Sequence, residues 1–169
     1  MRFNPYDNVQ VQPSTVSSVA IQSLTGSSAV NGDSLDTVLV FPAESIMVHV
    51  RAEIASGSPS AASVTWALQE SLTGSSGWTA AVDNTGTAIA GTLNVLSAAV
   101  DSYARVEGVN LYNTSATQAP YGGRKRYLRI VLTPAFTGGT SPAILTVAEF
   151  IGSPAQGTVL PVRTTVSNT

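Results

Sequence analysis

Ile46-Met47-Val48-His49-Val50-Arg51-Ala52-Glu53-Ile54 decides the fold, because Ile46, Val48, Val50, Ala52 and Ile54 alternate strictly with Met47, His49, Arg51 and Glu53. A period of two puts one set on each side of an extended chain, so the stretch predicts a strand with one face in a core. Outward from it the same period recurs. Val64, Trp66 and Leu68 alternate with Ser63, Thr65, Ala67 and Gln69, and Leu128, Ile130 and Leu132 with Tyr127, Arg129, Val131 and Thr133. Ala143 to Ile151 is a continuous β-rich run, which predicts a strand covered on both faces.

Clusters of turn-forming residues separate these runs: Asn31-Gly32-Asp33, Ser56-Gly57-Ser58-Pro59, Thr73-Gly74-Ser75-Ser76-Gly77 and Phe136 to Pro142. The pattern predicts about eight to ten short strands. The expected architecture is an all-β antiparallel two-sheet sandwich, with a jelly roll as the favoured strand order and other Greek-key orders open. Helical signal is nearly absent; only the Ala-rich Val95 to Ser102 reads as a loop or short helix. The expected organisation is an extended N-terminal arm over 1–16, one sandwich domain over 17–162 and a tail over 163–169. The arm contains Pro5 and Pro13, would reach about 50 Å if extended at about 3.3 Å per residue, and carries Arg2, Phe3 and Tyr6 as docking groups.

With 169 residues and no cysteine, the chain is long enough to bury a core without disulfide staples, and thiol chemistry and thiolate metal sites are excluded. Charged residues make up only 11%, against about a quarter in ordinary domains, so the surface must be wetted by Ser and Thr hydroxyls. Weak self-repulsion suits a protein that works in an assembly. A net charge of −2 offers no broad basic surface, so neither nucleic acid nor membrane is an expected partner. The N-terminus lacks a signal-like apolar run and no stretch is long enough to span a bilayer, so a soluble product is expected.

No constellation for catalysis stands out, and no enzyme, cofactor or metal is expected. The single histidine, His49, lies mid-strand without a nucleophile or ligand motif around it. Asp33 with Asp36, Glu44 with Glu53, and Asp101 with Glu107 lack calcium-loop spacing, while Arg105 and Glu107 are expected to form a surface ion pair. A glycosidase-like arrangement would need Glu70 in a groove lined by Trp66 and Trp78; the simpler reading gives these tryptophans to core and rim packing.

The sharpest local feature is basic. Arg124, Lys125, Arg126 and Arg129 are half of the 8 positive residues. Alternation would put Lys125, Tyr127 and Arg129 on one face and Arg126, Leu128 and Ile130 on the other, which splits the charge and favours protein carboxylates over a nucleic-acid strip. A merely solvated or intramolecularly paired cluster is the alternative.

Tyr121-Gly122-Gly123-Arg124-Lys125-Arg126-Tyr127-Leu128-Arg129-Ile130, the Gly/Ser/Pro turn after it, and Ala143 to Gly152 with Pro154 resemble small virion proteins of tailed bacteriophages that carry a "YxGxKRYxR" strand. Val64 to Ser71 followed by Gly77-Trp78 is similar to the same group, and the similarity covers residues 35–162. The group is the capsid cement, or decoration, family. The resemblance implies a β-sandwich or jelly-roll subunit, made in the host bacterial cytoplasm, that binds the major capsid protein outside an expanded head and stabilises it, as a homo-oligomer with a homotrimer favoured. Arg2, Phe3, Tyr6, Arg124, Lys125, Arg126 and Arg129 are the expected interface residues. The long arm and the Gly123-Arg124 start of the basic strand depart from the family pattern. The alternative is a carbohydrate- or receptor-binding module of a tail or fibre, with Trp78 and tyrosines as stacking platforms.

Overall fold

The structure is a computed structural model and describes residues 10–13, 22–37, 43–83, 85–95, 102–110 and 124–154. Among these every regular element is a strand: β1 (Gln10–Pro13), β2 (Gln22–Thr25), β3 (Val30–Asn31), β4 (Leu35–Asp36), β5 (Ala43–Ser56), β6 (Ala61–Ser71), β7 (Thr79–Ala80), β8 (Ala90–Val95), β9 (Ser102–Asn110), β10 (Tyr127–Thr137) and β11 (Ala143–Pro154). They form two antiparallel sheets. The first runs β1-β11-β5-β9 with β2 also on β11; the second runs β3-β10-β6-β7, with β4 also on β10 and β8 on β6. The two-sheet sandwich expected from the period-two runs is therefore present.

The alternation that announced the strands also fills the core. Ile46, Val48, Val50 and Ala52 of β5 are buried opposite Phe150, Ala148 and Thr146 of β11, and Val64, Trp66 and Leu68 of β6 opposite Leu132 and Ile130 of β10. Leu24, Leu35, Leu93 and Val95 join from the short strands. Gly91 stands opposite Trp66 because a Cβ there would lie 2.9 Å from the indole Nε1. Burying side chains of this size contributes about 1.5–3 kcal/mol each.

Edges explain the fragmentation. β1 and β2 share one flank of β11, β3 and β4 one flank of β10, and β7 and β8 one flank of β6. Short, interrupted edge strands resist pairing with other chains. The start of β3 has a visible cause. The Gly32 N–H donates to Ile130 O at 2.8 Å, so even-numbered residues of β10 direct their backbone groups to the β3 side, and Pro134 brings no N–H to that side.

Two of the crossings between sheets lie together at one end. The β5–β6 turn and the β10–β11 turn are joined by Thr140 N–H to Gly57 O at 3.0 Å, Ser60 N–H to Thr137 O at 2.8 Å and Ser60 Oγ to Thr137 O at 2.9 Å. Gly57 has φ +83° and faces Pro142 so closely that a Cβ would come within 2.5 Å of its Cα. Ser58 and Ser141 also hold positive φ, at 42° and 49°.

One expectation changes. β11 is not covered on both faces: Ile144, Thr146, Ala148 and Phe150 are buried, whereas Leu145, Val147, Glu149 and Ile151 are half-exposed, because only the inner face meets the second sheet. Val95 and Ser102 are strand ends, and 96–101 between them lie outside the described residues. Gln10–Pro13, read as part of an arm, pairs with Glu149 to Gly152 at the sheet edge.

Candidate functional site

At the end of the second sheet opposite the clasped turns, β6 runs out into the loop 72–78 and β10 begins. Ser71, fully buried, organises this loop: its Oγ accepts from the N–H groups of Thr73 and Gly74 at 3.1 and 3.2 Å. Thr73 Oγ1 accepts from Ser76 N–H at 3.2 Å, closing a second such turn. Gly74, at φ +76°, lies on the Tyr127 ring, where a Cβ would come within 2.8 Å of Cδ1. The loop thus arrives at Trp78 with a fixed path.

The basic cluster sits against this loop, and each member is held differently. Arg124 turns inward, with Nη1 3.5 Å from Glu70 Oε2 and Nη2 donating to Val82 O at 2.7 Å. Burial lowers its pKa, and the nearby Glu70 carboxylate opposes that shift. Arg126 pairs with Asp36, with Nη2 to Oδ2 at 2.7 Å and Nε to Oδ1 at 3.1 Å, and lies 5.2 Å from the Tyr127 ring centre. The hydrogen bond to Asp36 raises its pKa. Lys125 donates to Thr79 Oγ1 at 2.6 Å. Arg129 donates from Nε and Nη2 to Gln69 Oε1, at 2.9 and 2.7 Å, and stacks 4.2 Å from the Trp78 ring centre.

A charge ledger follows from these contacts. Arg124 and Arg126 are compensated by carboxylates, whereas Lys125 and Arg129 are held by a hydroxyl and an amide oxygen. Among the described residues no carboxylate pairs with Lys125 or Arg129. Thr79 and Trp78, neighbours in sequence, hold these two.

The expected split of the cluster between faces is corrected at Arg126. It stays 41% exposed beside Asp36 and does not follow Leu128 and Ile130 into the core. The chain bends at 126 and the strand starts at Tyr127, so the pleat does not govern the residues before it. Arg2, Phe3 and Tyr6 lie outside the described residues, as do Tyr121 to Gly123, Asp101 and the tail 163–169.

Glu70, Trp66 and Trp78 do not share a groove. Glu70 and Trp66 face the core, and Trp78 packs on Arg129, whose cross-strand partner Gln69 points to the other side of β6. His49 meets Glu149 across the first sheet, Nδ1 to Oε1 2.7 Å. Among the described residues no group of His, Asp or Glu is placed to hold a metal ion, and no helix is long and apolar enough to cross a membrane. The Asp36 partner of Arg126 and the Glu70 partner of Arg124 were not read from the sequence. Glu70 carried a signal: it occupies the apolar phase of the run Val64, Trp66, Leu68, where only a paired carboxylate is tolerated.

Beyond this site the outer face of the second sheet is neutral. Ala61, Ser63, Thr65 and Ala67 of β6, Ala90, Thr92 and Asn94 of β8, and Val131, Thr133 and Ala135 of β10 line it, with Thr65 and Thr92 hydroxyls 3.2 Å apart. Its charged residues among those described, Arg129 and Asp36, stand at one end. No family model, no curated protein and no solved structure matches the chain.

Proposed function

We propose that this chain is a structural virion protein that binds the outside of an expanded phage capsid, through contacts with the major capsid protein, and stabilises it. The observation that carries the reading is the outer face of the second sheet, built of small neutral side chains and charged at one end only. Such a face has little self-repulsion and little desolvation cost, which suits packing on a repeating protein surface. Multivalent attachment as a homotrimer then sums modest contacts into a stable coat.

Strand order supports the finer fold assignment. Counting β1 with β2, β3 with β4 and β7 with β8 as one position each, the sheets read 1-8-3-6 and 2-7-4-5. That order favours a jelly roll, an architecture used in viral capsid and lectin domains. The phage-like basic strand and the tryptophan loop after β6 agree with the reading; the arm residues Arg2, Phe3 and Tyr6 are its second contact element.

The test is co-sedimentation of the purified protein with expanded shells that lack it. Saturation at a fixed number of copies per capsomer is the expected result. A folded protein that never saturates such shells would sink the reading in favour of the tail or fibre module.

A further inference from the structure

Arg129 is prepared for a ligand that none of the described residues supplies. Gln69 Oε1 takes Nε and Nη2, and among the described residues nothing else takes the two hydrogens of Nη1 or the remaining one of Nη2. Trp78, 4.2 Å away, fixes the plane, and the loop that delivers Trp78 is tied by Ser71 and Thr73. A guanidinium whose plane and roll are already set loses little freedom on forming a two-pronged bond to a carboxylate. The planar fork matches that group and no hydroxyl or amide as well.

We propose that Arg129, seated on Trp78 and Gln69, is a receptor for an aspartate or glutamate carboxylate on a partner polypeptide. Two further features select a polypeptide. The loop carrying Trp78 also carries Leu72, 61% exposed and the one exposed large hydrophobic among the described residues, which puts an apolar anchor on the same loop. The sheet face running away from Arg129 is neutral and built of small side chains, which meet another protein surface better than they enclose a small sugar. Nucleic acid is disfavoured because Arg124 and Arg126 are already neutralised by Glu70 and Asp36. The capsid as source of the carboxylate rests on the function proposed above; the receptor geometry does not.

The experiment uses the full chain, labelled with nitrogen-15, and follows the Arg129 Nε–H and Trp78 Nε1–H signals. The probes are the capped peptide acetyl-Gly-Glu-Gly-amide, its glutamine counterpart and N-acetylneuraminic acid. The glutamyl peptide is expected to shift both signals saturably, with the glutamine peptide at least about tenfold weaker. Arg129→Lys, which keeps the charge and loses the fork, is expected to weaken the glutamyl peptide by a similar factor, read from the Trp78 signal. Equal responses to the two peptides, or an Arg129→Lys protein that binds as well as the parent, overturn the proposal. N-acetylneuraminic acid saturating at about tenfold lower concentration than the glutamyl peptide overturns the polypeptide assignment.

Shell co-sedimentation separates the two readings. If the parent protein recognises the glutamyl peptide and ignores shells, the capsid function falls and the receptor stands. If shells bind the parent and Arg129→Lys proteins alike while the peptides are not distinguished, the receptor falls and the capsid function stands.

Discussion

Glu70 and Arg124 meet on the core side of β6, carboxylate and guanidinium 3.5 Å apart with side chains 1% and 4% exposed. A carboxylate at the apolar phase of a strand would be costly alone, and the arginine that offsets it comes from just before β10, so the pair ties the start of one central strand to the end of the other. Arg124 reaches on to Val82 O, which pins the β7–β8 connection to the same point.

Removing one partner strands the other. Glu70→Ala or Arg124→Ala is expected to cost about 3–5 kcal/mol in urea unfolding, while the double replacement Glu70→Leu with Arg124→Met recovers most of the loss. Single variants that fall within about 0.5 kcal/mol of the parent, as surface changes do, would remove the pair from the list of structural ties.

The clasp between the β5–β6 and β10–β11 turns makes a second prediction. Gly57 combines φ +83° with backbone atoms of Pro142 and Thr140 at 2.5–2.7 Å from any added Cβ, whereas Gly26 at φ +78° has open space. Gly57→Ala must strain φ and push backbone apart, for an expected loss of about 2–4 kcal/mol; Gly26→Ala should cost only about 1 kcal/mol, the conformational part. Thermal midpoints compared for the two variants test this, and equal shifts would show that the packing of the turns is not what Gly57 serves.

Which of these features were legible depends on the range of the forces involved. The core of β5, β6 and β10 could be read because burial on one side of a strand prints a period of two directly on the sequence. The edge pairs β3, β4 and β7 could not. Each is two residues long and exists because a long strand offers it a flank, a tertiary cause with no local pattern. The same holds at the site. The basic cluster was visible as a run of like charges, but the partners that sort it are Asp36, Gln69, Glu70 and Thr79, brought in by register from far along the chain. β11 misled because its outward Leu145, Val147 and Ile151 are apolar, so composition hid an alternation that the structure shows plainly.

The buried tryptophan gives a third prediction. Trp66 is 3% exposed and its indole N–H has no hydrogen-bond partner among the described residues. Trp66→Phe removes an unsatisfied donor while leaving a small void, two effects of about 1–3 kcal/mol and opposite sign, so a net change below about 1.5 kcal/mol is expected. Gly91→Ala, which drives a methyl into the same ring at 2.9 Å, should cost more than Trp66→Phe. In the double variant the Gly91→Ala cost should shrink, because phenylalanine lacks the atom that is struck; additive losses would contradict the contact.

Asp83 makes the fold's stability depend on acid. Its Oδ1 accepts from Thr85 Oγ1 at 2.7 Å, Thr85 N–H at 2.8 Å and Thr87 N–H at 2.9 Å. The Thr85 hydroxyl first, then the Thr87 and Thr85 N–H groups, hold the carboxylate below its ordinary pKa of 3.8, with Arg124 adding a smaller attraction. Because the folded value is the lower one, the folded state favours the ionised form. The resulting stability is fully present above the unfolded pKa and is lost as pH falls through the folded one. The amide of an asparagine at this position would accept the same bonds through its oxygen but cannot titrate. The Asp83→Asn protein should therefore melt below the parent near about pH 6 and converge with it near about pH 2, as followed by circular dichroism. A gap between the two melting points that stays constant across that range would mean that the turn's hydrogen bonds do not discriminate the ionised carboxylate from a neutral one.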